Sequence, residues 1–268
     1  MRLLIIRHAE PDYVNDSLTE KGKREAALLA ERLCKLPIRA FYISTMGRAQ
    51  ETALPTLRKM GLQLPSRQPQ SETVRSENEA PGQSPSVTVQ ECDWLREFSH
   101  RIFRPDVPDK RSIAWDWLPL DWTKEEPFFD REKWLEEDVM KEGGVSERYL
   151  EITRYLDGIL ADHGYVREGS YYRAEQPNRD ILAIFCHFGL ESILLSHLLN
   201  VSPMIMWHHT CALPSSVTSL YTEERREGIA LFRMNAFGDT SHLYAGAEEP
   251  SFSARFCETW DNMEERHD

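Results

Sequence analysis

The sequence predicts an α/β fold: a three-layer α/β/α arrangement with a mainly parallel central sheet and a helical, Trp-rich insertion. Three observations carry this reading. Two unbroken apolar runs, Leu3-Leu4-Ile5-Ile6 and Ile181–Cys186, lack the alternation of a strand with one wet face, so both read as strands buried on two sides. Between residues 2 and 60, strand-like runs alternate with helix-spaced patterns, the mark of parallel strands joined by crossover helices. Each of the two apolar runs ends at a histidine, His8 and His187, at the sheet edge where ligands bind in open α/β folds.

The elements run in order along the chain. Residues 2–6 form the first strand. Polar cap candidates at Asp16–Glu20 lead into a helix whose Leu28, Leu29, Leu33 and Leu36 keep helical spacing, and Pro37 closes it. Ala40–Ile43 is a second strand. Ser44-Thr45-Met46-Gly47 turns the chain, and Arg48 opens a second helix toward Met60. Residues 62–86, rich in Gln, Ser, Glu and Pro, read as a surface excursion, followed by a short strand at Val87–Val89. The stretch 102–143 holds Trp115, Trp117, Trp122 and Trp134, with Trp94 just before it, and reads as either a lid or a packed insertion. A helix is expected from Val145 to about His163, and a polar hairpin or loop over 164–180. Another helix runs from Gly189 to Leu199, and a closing pair of strands lies at Val217–Tyr221 and Ile229–Met234. The whole chain, 1–268, is expected to be one domain with insertions at 62–86 and 102–143.

Composition narrows the function classes. Apolar residues make up 41% of the 268, enough for a packed core. The net charge of −12, from 32 Lys+Arg against 44 Asp+Glu, argues against a general nucleic-acid or anionic-membrane binder, both of which need a basic face. It leaves room for a small anionic substrate held by a few converging arginines. The five cysteines are widely spaced, with no zinc-site pattern, and no run approaches membrane-spanning length. Met1 leads straight into the first strand, so a reducing, cytoplasmic setting is the expectation, with neither metal nor cofactor.

Arg7, His8, Arg48 and His187 then stand out. Arginine grips phosphate through two parallel hydrogen bonds, and a helix start adds N–H donors for an anion. A neutral imidazole can attack phosphorus while a second donor stabilises the equatorial oxygens, and the leaving alkoxide needs an acid. Arg7-His8-Ala9-Glu10 resembles the Arg-His-Gly-Glu/Thr signature of the histidine phosphatase superfamily, which includes the cofactor-dependent phosphoglycerate mutases. Ser44–Ala53 resembles its Ser-x-x-x-Arg-Ala-x-Gln-Thr-Ala segment, Cys186-His187-Phe188-Gly189 its late His-Gly element, and Ser215–Thr218 and Asp239–Leu243 its closing segments. The resemblance implies that His8 becomes phosphohistidine, that Arg7 and Arg48 grip the phosphoryl oxygens, and that His187 donates to the same group. It also implies a proton donor in a Leu-x-Glu element. Leu95-Arg96-Glu97 fits, so Glu97 is the candidate, with Glu91 and Asp93 as competitors.

Three departures bear on the reading. Ala9 stands where Gly is usual, Glu51 where Gln is usual, and the continuation after Glu97 lacks the Gly-rich and Trp-Glu-Gly pattern common in mutases. The expected activity is therefore hydrolysis of a small phosphomonoester without a metal. The alternatives are a phosphomutase and a non-catalytic phospho-ligand module. Other residues receive plainer readings: His208 and His209 at a surface or pocket rim, Cys186 as a core thiol, and Asp12, Tyr13 and Asn15 as loop residues that either line the pocket or face solvent.

Overall fold

A computed structural model of the protein describes residues 1–65, 87–253 and 257–264, so most of the expected excursion at 62–86 lies outside the described residues. Eight strands form the main sheet: β1 (Arg2–Arg7), β2 (Ile38–Ser44), β3 (Thr88–Cys92), β4 (Tyr165–Glu168), β5 (Tyr171–Ala174), β6 (Ile181–Cys186), β7 (Val217–Arg226) and β8 (Ile229–Asp239). Their spatial order is β3-β2-β6-β1-β7-β8-β5-β4.

The sheet corrects the expectation of a mainly parallel one. Strands β3, β2, β6 and β1 are parallel neighbours. From β1 onward every pairing is antiparallel. The parallel half comes from crossovers through helices; in the antiparallel half β7–β8 and β4–β5 are hairpins, while β1–β7 and β8–β5 join strands distant in the chain. The segment 164–180, expected as a polar hairpin or loop, folds as the β4–β5 hairpin and extends the sheet edge.

Layering follows from strand alternation. Leu3, Ile5, Tyr42 and Ile184 point into one core, and Leu4, Ile6, Phe41, Ile43 and Phe185 into the other. The second core is closed by α1 (Glu20–Leu33) and α2 (Gly47–Lys59), through Leu29, Leu33, Ala53 and Leu57. The first is closed by α3 (Val145–Asp162), α4 (Phe188–Leu199) and α5 (Pro203–His209), followed in the chain by a short α6 (Ser241–Ala245). Helix α4 is buried around almost its whole circumference, because it packs against the sheet and against helices α3 and α5.

The Trp-rich segment is a packed insertion, and only part of it is helical. It begins as an antiparallel hairpin, Arg101–Arg104 with Val107–Ile113, and continues as short helical turns. Buried Arg104 pairs with Asp106 at 2.9 Å and donates to the carbonyls of Ile113 and Trp115, which ties the hairpin to the stretch that carries Trp115 and Trp117. Trp134 is fully buried and meets Tyr149 edge-on, with ring centroids 4.9 Å apart. His208 and His209 line a pocket together with Trp117 and Trp122; half-buried His208 is held there by hydrogen bonds with Trp117 N–H and the Met204 carbonyl and stacks on Trp122, while His209 is exposed. Among the described residues, no helix is long and apolar enough to cross a membrane, and all five cysteines are free thiols.

Candidate active site

The site is built by sheet register. β1 and β6 run parallel with Arg7 opposite Cys186, and His8 N–H donates to the Cys186 carbonyl at 3.0 Å. Both strands end together, so His8 and His187 emerge side by side with ring centroids 5.1 Å apart. His8 is 1% exposed and His187 fully buried.

Each imidazole has one nitrogen committed. His8 Nδ1 lies 2.8 Å from the Ala9 carbonyl oxygen. A carbonyl can only accept, so Nδ1 carries the proton and Nε2 presents a lone pair. His187 Nε2 lies 2.9 Å from Ser44 Oγ, while its buried Nδ1 has no partner among the described residues. Ser44 Oγ also accepts from Met46 N–H at 3.3 Å, so its own proton is free to go to His187 Nε2. With Ser44 as the donor to Nε2, the imidazole proton sits on Nδ1, a donor without an acceptor among the described residues; with Ser44 as the acceptor, it sits on Nε2. Burial holds the pKa of both histidines well below the usual imidazole value. Arg7 and Arg48 push His8 further down, and His8, Arg48 and Arg7 do the same to His187.

Two guanidinium groups face this pair. Arg7 Nη1 donates to the Ala212 carbonyl, and its side chain packs against the Phe188 ring at 5.3 Å. Arg48, in the first turn of α2, pairs through Nη1 with Asp16 at 2.6 Å. The Nε atoms of both arginines are buried with no hydrogen-bond partner among the described residues. A buried, unmatched donor is expensive, and two of them beside two neutral imidazoles describe a place shaped for an anion.

Glu97 reaches the same place. Its Oε1 accepts from Phe98 N–H at 2.8 Å and Leu190 N–H at 3.2 Å, at the start of α4. Gly189 leaves the necessary space: a Cβ there would stand 2.8 Å from Glu97 Oε1 and 2.7 Å from Trp115 Nε1. Burial raises the pKa of Glu97 above the usual carboxylate value, against the pull of Arg7 and Arg48. With Oε1 occupied by two N–H groups, Oε2 is the oxygen left to carry a proton. The competing carboxylates are engaged elsewhere: Glu91 accepts from Gln50 at 3.1 Å, and Asp93, exposed, accepts from Thr45 at 2.9 Å.

The departures find physical explanations. Ala9 is not among the residues with positive φ, so alanine sits there without strain, and its N–H donates to Thr52 Oγ1 at 2.9 Å. Glu51 accepts the Leu18 N–H at 2.9 Å and so pins the loop after the first motif. Asp12 accepts the N–H groups of Val14 and Asn15, and the exposed Tyr13 ring covers Arg48 at 5.5 Å. Cys186 is fully buried, and burial drives its thiol pKa well up, against any nucleophilic use.

Sequence reasoning missed Glu191. It lies in the first turn of α4, 1% exposed, accepts from Thr218 Oγ1 at 2.6 Å and leaves Oε2 buried without a partner among the described residues. Burial pushes its pKa up to about 7 from an ordinary 4.5. A carboxyl raised in the folded state contributes stability that is full below its ordinary value and lost as pH climbs through the raised one. The Glu191→Gln variant lacks that titration. Its stability relative to the parent should therefore rise between pH 4.5 and about 7, by roughly 3 kcal/mol, read from urea unfolding at each pH. A constant difference across that range would show that Glu191 stays charged.

Residues 3–100 match the model of the histidine phosphatase superfamily, branch 1. The fold of the chain is similar to that of phosphoserine phosphatase from Entamoeba histolytica, solved with 3-phosphoglyceric acid: 16% identity over 90% of this chain and 98% of that one, TM-score 0.50. A mycobacterial glucosyl-3-phosphoglycerate phosphatase, solved with VO3, is 19% identical over 88% of this chain and 98% of that one, TM-score 0.49. At such identities likeness speaks for the fold alone. None of the curated proteins matches this chain. Among the described residues, no group of three or more His, Cys, Asp or Glu side chains is placed to hold a metal ion.

Proposed function

We propose that the chain is a member of the histidine phosphatase superfamily and that it hydrolyses small phosphomonoesters through a phosphohistidine on His8. The observation that carries the reading is the fixed tautomer of His8. Its proton is held by the Ala9 carbonyl, so Nε2 keeps its lone pair, and beside it Arg7 Nε, Arg48 Nε and His187 Nδ1 are buried without partners among the described residues.

In the first half-reaction the phosphoryl oxygens lie against those donors. His8 Nε2 attacks phosphorus, the N–P bond forms, and the ester P–O bond breaks on the opposite side. Glu97 Oε2 gives its proton to the leaving oxygen, so the alcohol departs neutral. The His8 ring becomes cationic, and the Ala9 carbonyl at 2.8 Å stabilises that charge. In the second half-reaction water attacks phosphorus, its proton passes to the Glu97 carboxylate, and the N–P bond breaks. Nε2 regains its lone pair and phosphate leaves. Donors aimed at the phosphoryl oxygens before the reaction begins need no reorganisation as charge builds.

A small, singly phosphorylated substrate suits the charge balance. The overall charge of −12 repels bulky anions, while the local cations lie at one point. The expected result is that the protein hydrolyses p-nitrophenyl phosphate, with a phosphoenzyme trapped by acetone quench whose label is lost in mild acid, as a P–N bond requires. Adding chelator should leave the rate unchanged. Turnover that stops with chelator, or a label stable in acid, would rule the mechanism out.

A further inference from the structure

Asp16 belongs to none of the motifs that mark the site, yet it is tied to Arg48 more closely than any other side chain. We infer that Asp16 is a positioning residue for the phosphoryl group: its carboxylate fixes the Arg48 guanidinium so that the Nε–Nη2 edge faces the phosphate. The inference rests on the phosphate reading of the site given above.

Helix α2 supplies no cap of its own. Its N-cap residue is Met46, whose side chain makes no capping hydrogen bond. The cap comes from across the loop, since Asp16 Oδ2 accepts the Gly47 N–H at 2.8 Å. The other oxygen, Oδ1, accepts from Arg48 Nη1 at 2.6 Å. One carboxylate therefore holds both the first backbone donor of the helix and one corner of the guanidinium.

The backbone is shaped to keep it there. Asp16 has φ of +48°, a left-handed conformation that Asp tolerates better than most residues. Gly47 sits directly against it, where a Cβ would lie 2.1 Å from the Asp16 carbonyl oxygen. The loop is held on either side, by the Asp12 side chain accepting from Val14 and Asn15 and by Glu51 accepting from Leu18.

What remains of Arg48 defines the consequence. Tyr13 covers one face, and Asp16 takes Nη1. Nη2 reaches only the Met46 sulfur at 3.6 Å, and Nε is buried without a partner among the described residues. Nε–H and one Nη2–H point the same way and form the two-pronged edge that matches a phosphate. The charge of Arg48 is felt at His8, His187 and Glu97, so that edge serves the reacting group. The Asp16 side chain is 42% exposed, so solvent screens its negative charge while the geometry it imposes stays.

The test compares wild type, Asp16→Asn, Asp16→Ala, Arg48→Ala and the Asp16→Ala/Arg48→Ala pair. The measurements are inorganic phosphate binding by calorimetry and steady-state hydrolysis of p-nitrophenyl phosphate. Asp16→Ala should weaken phosphate binding about tenfold and lower kcat/KM by up to about a hundredfold. Asp16→Asn, which can still accept the Gly47 N–H, should lie between and keeps the test open if the alanine variant unfolds. In the Arg48→Ala background, removing Asp16 should cost no further activity. Phosphate binding as tight as or tighter than wild type in Asp16→Ala would overturn the inference, because the carboxylate would then compete with phosphate. Losses that multiply in the double variant would also overturn it, by making Asp16 a helix cap and nothing more. Wild-type protein that binds no phosphate would instead overturn the reading of the site, and this inference with it.

Discussion

The His8→Ala variant will hydrolyse p-nitrophenyl phosphate more slowly than wild type by on the order of ten-thousandfold, and no phosphoenzyme will accumulate in it. The size of the effect follows from the site. With the nucleophile gone, Arg7, Arg48 and His187 still bind and polarise phosphate, but no side chain is left with an exposed lone pair aimed at phosphorus. Cys186 cannot substitute, because burial drives its thiol pKa well above the usual value. The fold should survive, since β1 keeps its in-register pairing with β6 whatever the side chain at position 8. Inorganic phosphate should still bind to the variant, which separates loss of chemistry from loss of the site. Turnover retained at even a hundredth of the wild-type rate would place the nucleophile elsewhere.

The second large effect is that of Glu97→Gln, and it should depend on the leaving group. The amide oxygen can still accept from Phe98 and Leu190, so the loop stays in place, but no proton can be transferred. For alkyl phosphates, whose alkoxide is a poor leaving group, the rate should fall by roughly a hundredfold to ten-thousandfold. For p-nitrophenyl phosphate, whose phenolate leaves without help, it should fall little. The pH profile of kcat/KM adds an independent reading. His8 must be neutral to attack, and burial with Arg7 and Arg48 lowers its pKa, so activity rises as pH climbs through that lowered value. Glu97 must be protonated, and burial raises its pKa, so activity falls as pH climbs through that raised value. Wild type should show a bell and Glu97→Gln only its acid limb. An alkaline limb that persists in the variant would move the proton to another carboxyl, and Glu191, at about 7, is the one placed for it.

Much of this architecture is legible in the sequence because the responsible residues act within a few positions of one another. β1 and β6 announce themselves by burial on both faces, and Arg7, His8, Arg48 and His187 lie at the ends of elements that local patterning defines. The parts that escape notice depend on distant contacts. β4 and β5 turn only alternate residues such as Tyr165 and Tyr172 inward, so their polar outer faces resemble a loop. Asp16 reads as a candidate helix cap in the loop before α1, but its partners stand at the start of α2. Glu191 lies in a mostly apolar helix, and its carboxyl is buried against Thr218 of β7, a partner distant in the chain. Ala9 shows the reverse case: alanine in place of glycine looks like a defect until the backbone proves to need no positive φ.

The pairing of β1 with β6 has a consequence for how such a protein can change. The two histidines meet because their strands are neighbours in step, and the long span of chain between them has no part in setting their separation. Deleting one residue within either strand would turn its side chains over to the opposite face and dismantle the pair at once. Residues 101–142, by contrast, contribute no strand to the main sheet. That span is tied to the fold by side chains instead, with Trp117, Trp122, Phe128, Trp134 and Met140 packed into the first core. A change of length there would leave the step between the two strands as it is.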